Sequence, residues 1–391
     1  MSSMTDTRHS YGNHQPRLIH AIILLVTSGL AVLVTAVLGP SLPLMQEHFK
    51  DVPGADYLVP LTLSAPMFMT TILSVFVGEL ADRFGRKKLL VSAALLYAIV
   101  GTAPLYLDSL TTIIASRLAL GVMEAVLFTI STALIGDYYE GQQRERYMAL
   151  HTTVASFTAF LFNTLGGVIA EYGWRAPYWV FAISLVLAPL MIVFLWEPKT
   201  RASMTQEQIV TDGQAFNPSL LAFICGLAIL MGIAFLTVPV HFAYLYGEIG
   251  VKSPSQIGEA FGINSLGVIV GTLIFGWIVA PRLSVAFQLG LSTLIAGLGF
   301  VIMEFAANYA QLTTAGFVNG LGCGLLLPTL VTWNMRELPI SKRGMGVGAY
   351  QSCMFLGMFI NPILIVWIEK NAMGARSLAV GFEGRVMLAL G

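Results

Sequence analysis

The sequence predicts an all-α membrane protein of about twelve transmembrane helices in two six-helix halves. Three observations predict it. Only 11% of the 391 residues are charged and 56% are hydrophobic, whereas ordinary soluble domains carry about 25% charged residues. Apolar stretches of spanning length recur along the whole chain, and a polar segment at 197–217 divides them into two sets. A chain this poor in charge cannot clothe a water-facing surface of its size, so the bilayer is its solvent.

A spanning helix needs about 20 mostly apolar residues. The first half offers such stretches at about 18–40, 56–77, 89–107, 110–136, 147–170 and 176–196. The first of them exceeds the apolar core of a secretory signal, about 7–15 residues, and reads as a retained anchor behind a polar tail at 1–17. The second half offers about 219–245, 257–280, 284–304, 309–333 and 345–368. A final stretch from Leu378 is interrupted by Glu383 and Arg385 and runs to Gly391. Eleven spans are plain and the twelfth is short. The expected organisation is a tail (1–17), an N-terminal bundle (18–196), a linker (197–217) and a C-terminal bundle (218–391). Cys225, Cys323 and Cys353 lie scattered in apolar stretches and read as small buried residues.

Lys+Arg and Asp+Glu balance at 21 each, so orientation follows from where the basic residues sit. One set of connections, with the tail, holds Arg8, Arg17, Arg83, Arg86, Lys87, Lys88, Arg144, Arg146, Lys199, Arg201, Arg282, Arg336, Lys342 and Arg343. The other holds only Lys50, Arg175, Lys252, Lys370, Arg376 and Arg385. Basic loops stay inside, so both termini and the linker are expected in the cytoplasm of a multi-pass protein of the cell membrane.

The two sets look duplicated. Gly78 answers to Gly276, Gly121 to Gly320, Arg146 to Arg343 and Asn163 to Asn361, all at nearly the same offset. An even number of spans per half makes the halves parallel repeats about a pseudo-two-fold axis along the membrane normal, with a substrate cavity between them.

Residues 78–88 read Gly-Glu-Leu-Ala-Asp-Arg-Phe-Gly-Arg-Lys-Lys. They fill every fixed position of the pattern G-x-L-x-D-R-x-G-R-K-x, at Gly78, Leu80, Asp82, Arg83, Gly85, Arg86 and Lys87. Gly78 and Gly85 are expected to allow close backbone approach and a tight turn. This block resembles the loop between helices 2 and 3 of the major facilitator superfamily of secondary transporters. The resemblance implies a cytoplasmic gate in which Asp82 and Arg83, with the neighbouring basic residues, clamp helix ends. In the second copy Pro281-Arg282 replace Asp-Arg, so gating is expected to be asymmetric.

Span 4 carries Arg117 and Glu124, and ionisable residues inside a span mark a functional site by default. They are seven apart, on one helix face, about 10.5 Å along the axis. Glu124 is the candidate proton carrier. Arg117 resembles the membrane Arg of the R-x-x-x-G pattern in proton-coupled facilitators, which implies a part in proton traffic; the alternatives are a structural Arg bonded to backbone carbonyls and a Glu in a wet cavity without a coupling role. In span 5, Gly166-Gly167 and Gly173-Trp174-Arg175 resemble the drug–proton antiporter group of twelve-span members, although Phe162-Asn163 stand where that group has Gly-Pro. Gly166 and Gly167 are expected to pack helices between the halves. His151 reads as interfacial. So does Glu304, and His241, Tyr244 and Tyr246 read as an aromatic belt. Asn163, Asn264, Thr332 and Gln351 could bond a substrate or tie helices together.

There is no phosphate-binding glycine loop, no zinc-ligand spacing and no basic-aromatic nucleic-acid pattern. No enzyme activity, cofactor, metal or nucleic-acid partner is expected. The expected function is alternating-access secondary transport, with proton-coupled efflux of a small amphipathic compound by a monomer. Proton-coupled uptake of an organic acid or sugar, an uncoupled facilitator, and a non-transporting membrane sensor are the alternatives.

Overall fold

The computed structural model describes residues 16–139, 141–198, 217–338 and 343–391. Most of the expected linker therefore lies outside the described residues. Among the described residues, twelve main helical segments follow one another along the chain. α1 (Leu18–Leu38) tightens into a 3₁₀ turn at Gly39–Ser41 and continues to His48. α2 (Ala55–Phe84), α3 (Arg86–Thr102), α4 (Leu110–Tyr138) and α5 (Gly141–Ala170) follow. α6 begins as a 3₁₀ segment, Ala176–Ile183, and becomes α-helical over Ser184–Phe194. The second half comprises α7 (Pro218–Glu248), α8 (Pro254–Ile274), α9 (Val285–Glu304), α10 (Tyr309–Glu337), α11 (Arg343–Ile368) and α12 (Arg376–Leu390).

Ten of these are long and apolar enough to cross a bilayer, among the described residues. The 30-residue α2 and the 15-residue α12 complete the twelve. Prolines inside spans are tolerated because neighbouring groups take up the carbonyls or N–H groups they disturb. Thr70 Oγ1 donates to the Pro66 carbonyl in its own helix (3.1 Å) and to that of Gly121 on α4 (3.3 Å), tying the two helices together.

The halves have separate apolar cores. One is built from α1–α6, with Leu236, Val240 and Met358 of the other half joining it. The second is built from α7–α12. Helix neighbours repeat between them: α2 packs on α4 as α8 packs on α10, and α1 on α5 as α7 on α11. The duplication extends to single contacts. A Cβ on Gly121 would sit 2.2 Å from the Pro66 carbonyl, and one on Gly320 2.2 Å from that of Asn264. Both glycines, and both partners, are thus separated by nearly the same stretch of chain. The halves meet through α5 against α8 and α2 against α11.

Several expectations change. Residues 78–88 are not a loop: α2 runs through Phe84 and α3 starts at Arg86, leaving Gly85 as the connection. Gly85 alone makes the turn, at φ +91°, while Gly78 lies within α2 with nothing within 4 Å of a Cβ. Gly85→Ala should cost about 1–3 kcal/mol of backbone strain, and its Cβ would also press on Glu197 at 3.1 Å. Thermal unfolding of the detergent-purified protein should show this loss, with Gly78→Ala almost neutral. His241 and Tyr246 form no interfacial belt; both are fully buried in the second core. Glu304 is also drawn inward, its side chain 5% exposed and paired with Arg385 at 2.6 Å.

Candidate functional site

The N-terminal half holds Arg117 and Glu124 well inside the bundle, 0% and 3% exposed. Arg117 is fixed by the end of α3. Its Nη2 donates to the carbonyls of Val100 (2.8 Å) and Gly101 (2.9 Å), in the last turn of that helix, where the dipole favours a cation. Its guanidinium also lies over the rings of Tyr178 (5.1 Å) and Phe181 (5.3 Å). Glu124 is held differently. Its Oε1 is buried without a hydrogen bond, and its titratable neighbours are Arg117 and Tyr97. Tyr97 spends its hydroxyl on the Leu30 carbonyl (2.7 Å). Arg117 is thus a fixed charge and Glu124 a carboxyl with one open valence.

At the face where α6 ends and α7 begins, the 78–88 block is tied to α4 and α6. Glu197 accepts from the backbone N–H groups of Arg86 (2.6 Å) and Lys87 (2.9 Å), the first residues of α3. A carboxylate at a helix N-terminus satisfies orphan donors and meets the positive end of the dipole. Arg86 pairs with Asp137 of α4, and Lys87 Nζ donates to the Ile192 carbonyl (2.8 Å). Arg83 is exposed beside the Phe84 ring. The side chains of Asp82 and His151 lie outside the described residues. In the second copy the helix loosens into a π turn, Phe275–Val279, and Arg282 Nη1 donates to the carbonyls of Trp277 (3.0 Å) and Ile278 (3.2 Å).

Between the halves lies a cavity of about 230 Å³. Its wall is mainly apolar, from Val32 and Ala36 of α1, Phe235 and Val238 of α7, and Phe261 and Val268 of α8. Thr35, Ser156, Asn163, Asn264, Ser265 and Asn319 supply the polar points, and no charged residue lines it. Asn163 Nδ2 donates to Ser265 Oγ across the halves (2.9 Å) and leaves its Oδ1 without a partner. Asn264 donates to the Gly316 carbonyl (2.7 Å). Thr332 and Gln351 are not on the wall; the Thr332 hydroxyl is spent on the carbonyls of Pro328 and Thr329 in its own helix. A larger recess, about 670 Å³, lies within the second half beside Phe223, Leu289 and Gly391, away from the junction.

At the opposite face the halves are latched. Glu171, just beyond α5, accepts from the Ser253 hydroxyl (2.7 Å), the Ser255 N–H (3.0 Å) and the Ser255 hydroxyl (2.7 Å) at the start of α8. Lys370 pairs with Asp56 and lies over the Tyr57 ring. Gly167 sits beneath this latch, where a Cβ would be 2.4 Å from the Pro254 carbonyl and 2.7 Å from Gly258 Cα. Gly166 faces the Val37 carbonyl of α1, in its own half. The Ser253 hydroxyl, then the Ser255 N–H and hydroxyl, hold the Glu171 carboxyl below the usual carboxylate range. Its bonds therefore favour closure above the ordinary carboxylate pKa and lose that contribution as pH falls through the depressed value. Spin labels at Tyr172→Cys and Lys252→Cys should move apart on acidification, and Glu171→Gln should remove that response.

The sequence profile of the Major Facilitator Superfamily matches residues 24–248 and 223–380. The chain belongs to this superfamily. Among curated facilitators, the quinolone resistance protein NorA of Staphylococcus aureus is 22% identical over 338 residues, 84% of each chain. The class C tetracycline resistance protein of Escherichia coli is 24% identical over 369 residues, 88% of this chain and 89% of that one. The uncharacterised facilitator YdgK of Bacillus subtilis is 22% identical over 369 residues, 90% and 89%. Among solved facilitators, a D-xylose–proton symporter superposes with a TM-score of 0.75 at 15% identity, covering 96% of this chain and 97% of that one. An inward-facing bacterial homologue of Spinster gives 0.74 at 13%, covering 95% and 90%.

This facilitator is a multi-pass membrane transporter of two similar halves, in a family that handles small molecules. Sequence reasoning missed Asp137 and Glu197, which hold the 78–88 block, because neither falls within the recognised pattern. It assigned no role to Glu171, two residues before the Gly173-Trp174-Arg175 turn, or to Asn319, which stands directly before Gly320.

Proposed function

We propose that this facilitator exports a small amphipathic compound in exchange for protons, from the cytoplasm across the cell membrane, with both termini inside. The observation that carries this reading is Glu124: a buried carboxyl with an unbonded oxygen, near a fixed guanidinium, inside the N-terminal bundle. Ionisable groups in such places mark ion pathways. Arg117 sets the field at Glu124, and Arg86, Lys87 and Gly85 hold the cytoplasmic elbow between α2 and α3. Asp82 and Arg83 join the gate when the halves close on that side. The latch at Glu171 and Asp56 is then extracellular, which suits a stage closed to the outside.

The cavity supports an amphipathic cargo. Its wall is apolar and aromatic with a few amides and hydroxyls, the mixture expected of a small-molecule site. A sugar or other polyol would leave most of its hydroxyls facing hydrocarbon, at a cost for each unmet polar group. The two resistance proteins among the relatives agree with export. Asn163 and Asn264 are the proposed substrate contacts. The test is flux in proteoliposomes with a quinolone and a tetracycline as probes. Accumulation driven by a pH gradient with the sign of antiport supports the reading, the opposite sign identifies uptake, and indifference to the gradient identifies an uncoupled facilitator.

A further inference from the structure

A second group of buried polar side chains lies in the C-terminal half, between α7, α11 and α12. Thr237 of α7 donates to Glu383 Oε2 of α12 (2.7 Å) and accepts from Asn361 Nδ2 of α11 (2.6 Å). Glu383 Oε1, Asn361 Oδ1, both ring nitrogens of His241 and Arg376 Nη1 are all buried without a hydrogen bond. His241 is 0% exposed and faces Arg376 and Asn361. Arg376 Nε donates to Glu369 Oε2 (2.8 Å), its N–H donates to Glu248 (3.2 Å), and its guanidinium covers the Tyr244 ring at 4.1 Å. Cys323 of α10 lies in the field of Glu383, and Asp56 of α2 in that of Tyr244.

The arrangement parallels the N-terminal one. Arg376 and Glu383 are seven apart on one helix, as Arg117 and Glu124 are, and each arginine lies over a tyrosine ring. Yet α12 answers to α6 in the duplication, not to α4, so the likeness is not inherited from the repeat. A cluster that only fastened helices would be fully bonded, because a buried polar atom without a partner is costly. Here open valences remain on Asn361 and Arg376 and on Glu383 and His241, and the last two can exchange a proton. The cluster also touches the transport path. Cys323 lines the central cavity, as do Phe235, Val238 and Pro239, which flank Thr237 on α7. The Pro239 carbonyl is pressed by Gly39 of α1, where a Cβ would be 2.8 Å away. This close approach between the halves lies two residues from Thr237, which holds Glu383.

We propose that Glu383 and His241 form a second proton-exchange station, in the C-terminal half, that loads and releases protons separately from Glu124. Glu383 gains or loses one proton at Oε1 and His241 one at a ring nitrogen, with no other bond changed. Arg376 closes the station on the side of the Asp56–Lys370 latch. The inference rests on the proton-coupled reading above, and its test separates the two.

Infrared difference spectra of the reconstituted protein, without substrate, are taken across about pH 5 to 9, where perturbed carboxyl and imidazole groups titrate. The wild type should show two titrating carboxyl C=O signals. Glu383→Gln should remove one and Glu124→Gln the other, while His241→Asn should keep both and move the midpoint of the Glu383 signal. A Glu383→Gln spectrum identical to wild type overturns the station, whatever Glu124→Gln does. Loss of signal in Glu383→Gln but not in Glu124→Gln sinks the N-terminal assignment instead. Should Glu383→Gln fail to fold by size exclusion, Thr237→Val removes the donor to Glu383 together with the acceptor of Asn361, and an unmoved Glu383 midpoint there overturns the proposal.

Discussion

Glu124→Gln is expected to abolish accumulation driven by a pH gradient while leaving exchange of substrate for substrate near the wild-type rate. Glutamine has the shape of the protonated acid and cannot lose the proton, so the carrier is held in its loaded form. Antiport needs the empty and loaded forms to favour different partners. The coupling free energy between two such sites is typically about 1–3 kcal/mol, so its removal should lower gradient-driven accumulation by about 5- to 150-fold. Arg117→Lys should behave differently. A lysine keeps the charge but not the forked reach to Val100 and Gly101, so the end of α3 loosens and stability falls before coupling does. Glu124→Gln vesicles that still accumulate probe as well as wild type would place the coupling carboxyl elsewhere.

Gly167→Leu is expected to stop transport in a protein that still folds. A Cβ there already falls 2.4 Å from the Pro254 carbonyl and 2.7 Å from Gly258 Cα, and both obstacles are backbone, which cannot rotate away. α5 and α8 must separate, so the side latched by Glu171 and Asp56 can no longer close. Each half keeps its own core, so the melting temperature should change little while flux falls by about 100-fold, the loss expected when about 3 kcal/mol separates the two conformations. Gly166→Leu is the contrast. It strikes the Val37 carbonyl of α1 at 2.5 Å within one half and should lower stability first. Wild-type flux in Gly167→Leu would show that the α5–α8 contact is not part of the cycle.

The architecture was legible because it rests on lengths. Spans, their number and the duplicated offsets follow from where apolar runs begin and end, and the bilayer enforces those lengths. Which way a side chain faces was not legible. In a soluble helix the polar stripe shows the outer face, but here the helices are apolar all round and a lone polar residue gives no azimuth. Asn264 and Thr332 therefore looked alike in sequence, yet Asn264 reaches the cavity while Thr332 turns back on its own carbonyls. His241 looked like a belt residue because it stands near a helix end with tyrosines, yet it is completely buried, facing Arg376 and Asn361. Gly78 and Gly85 occupy equivalent places in a pattern, and only the backbone reveals that Gly85 bears the strained turn.

With Gly85 alone between α2 and α3, and Glu197 pinning the first N–H groups of α3, these two helices cannot swing independently. α2 touches the partner half at α11, while α3 presents Leu95, Leu96 and Ile99 outward, up to 64% exposed. Each stroke at the seam must consequently sweep α3 through the acyl chains. Bilayer thickness and lateral pressure thus become terms in the turnover rate, and the surrounding lipid is a mechanical component of the cycle.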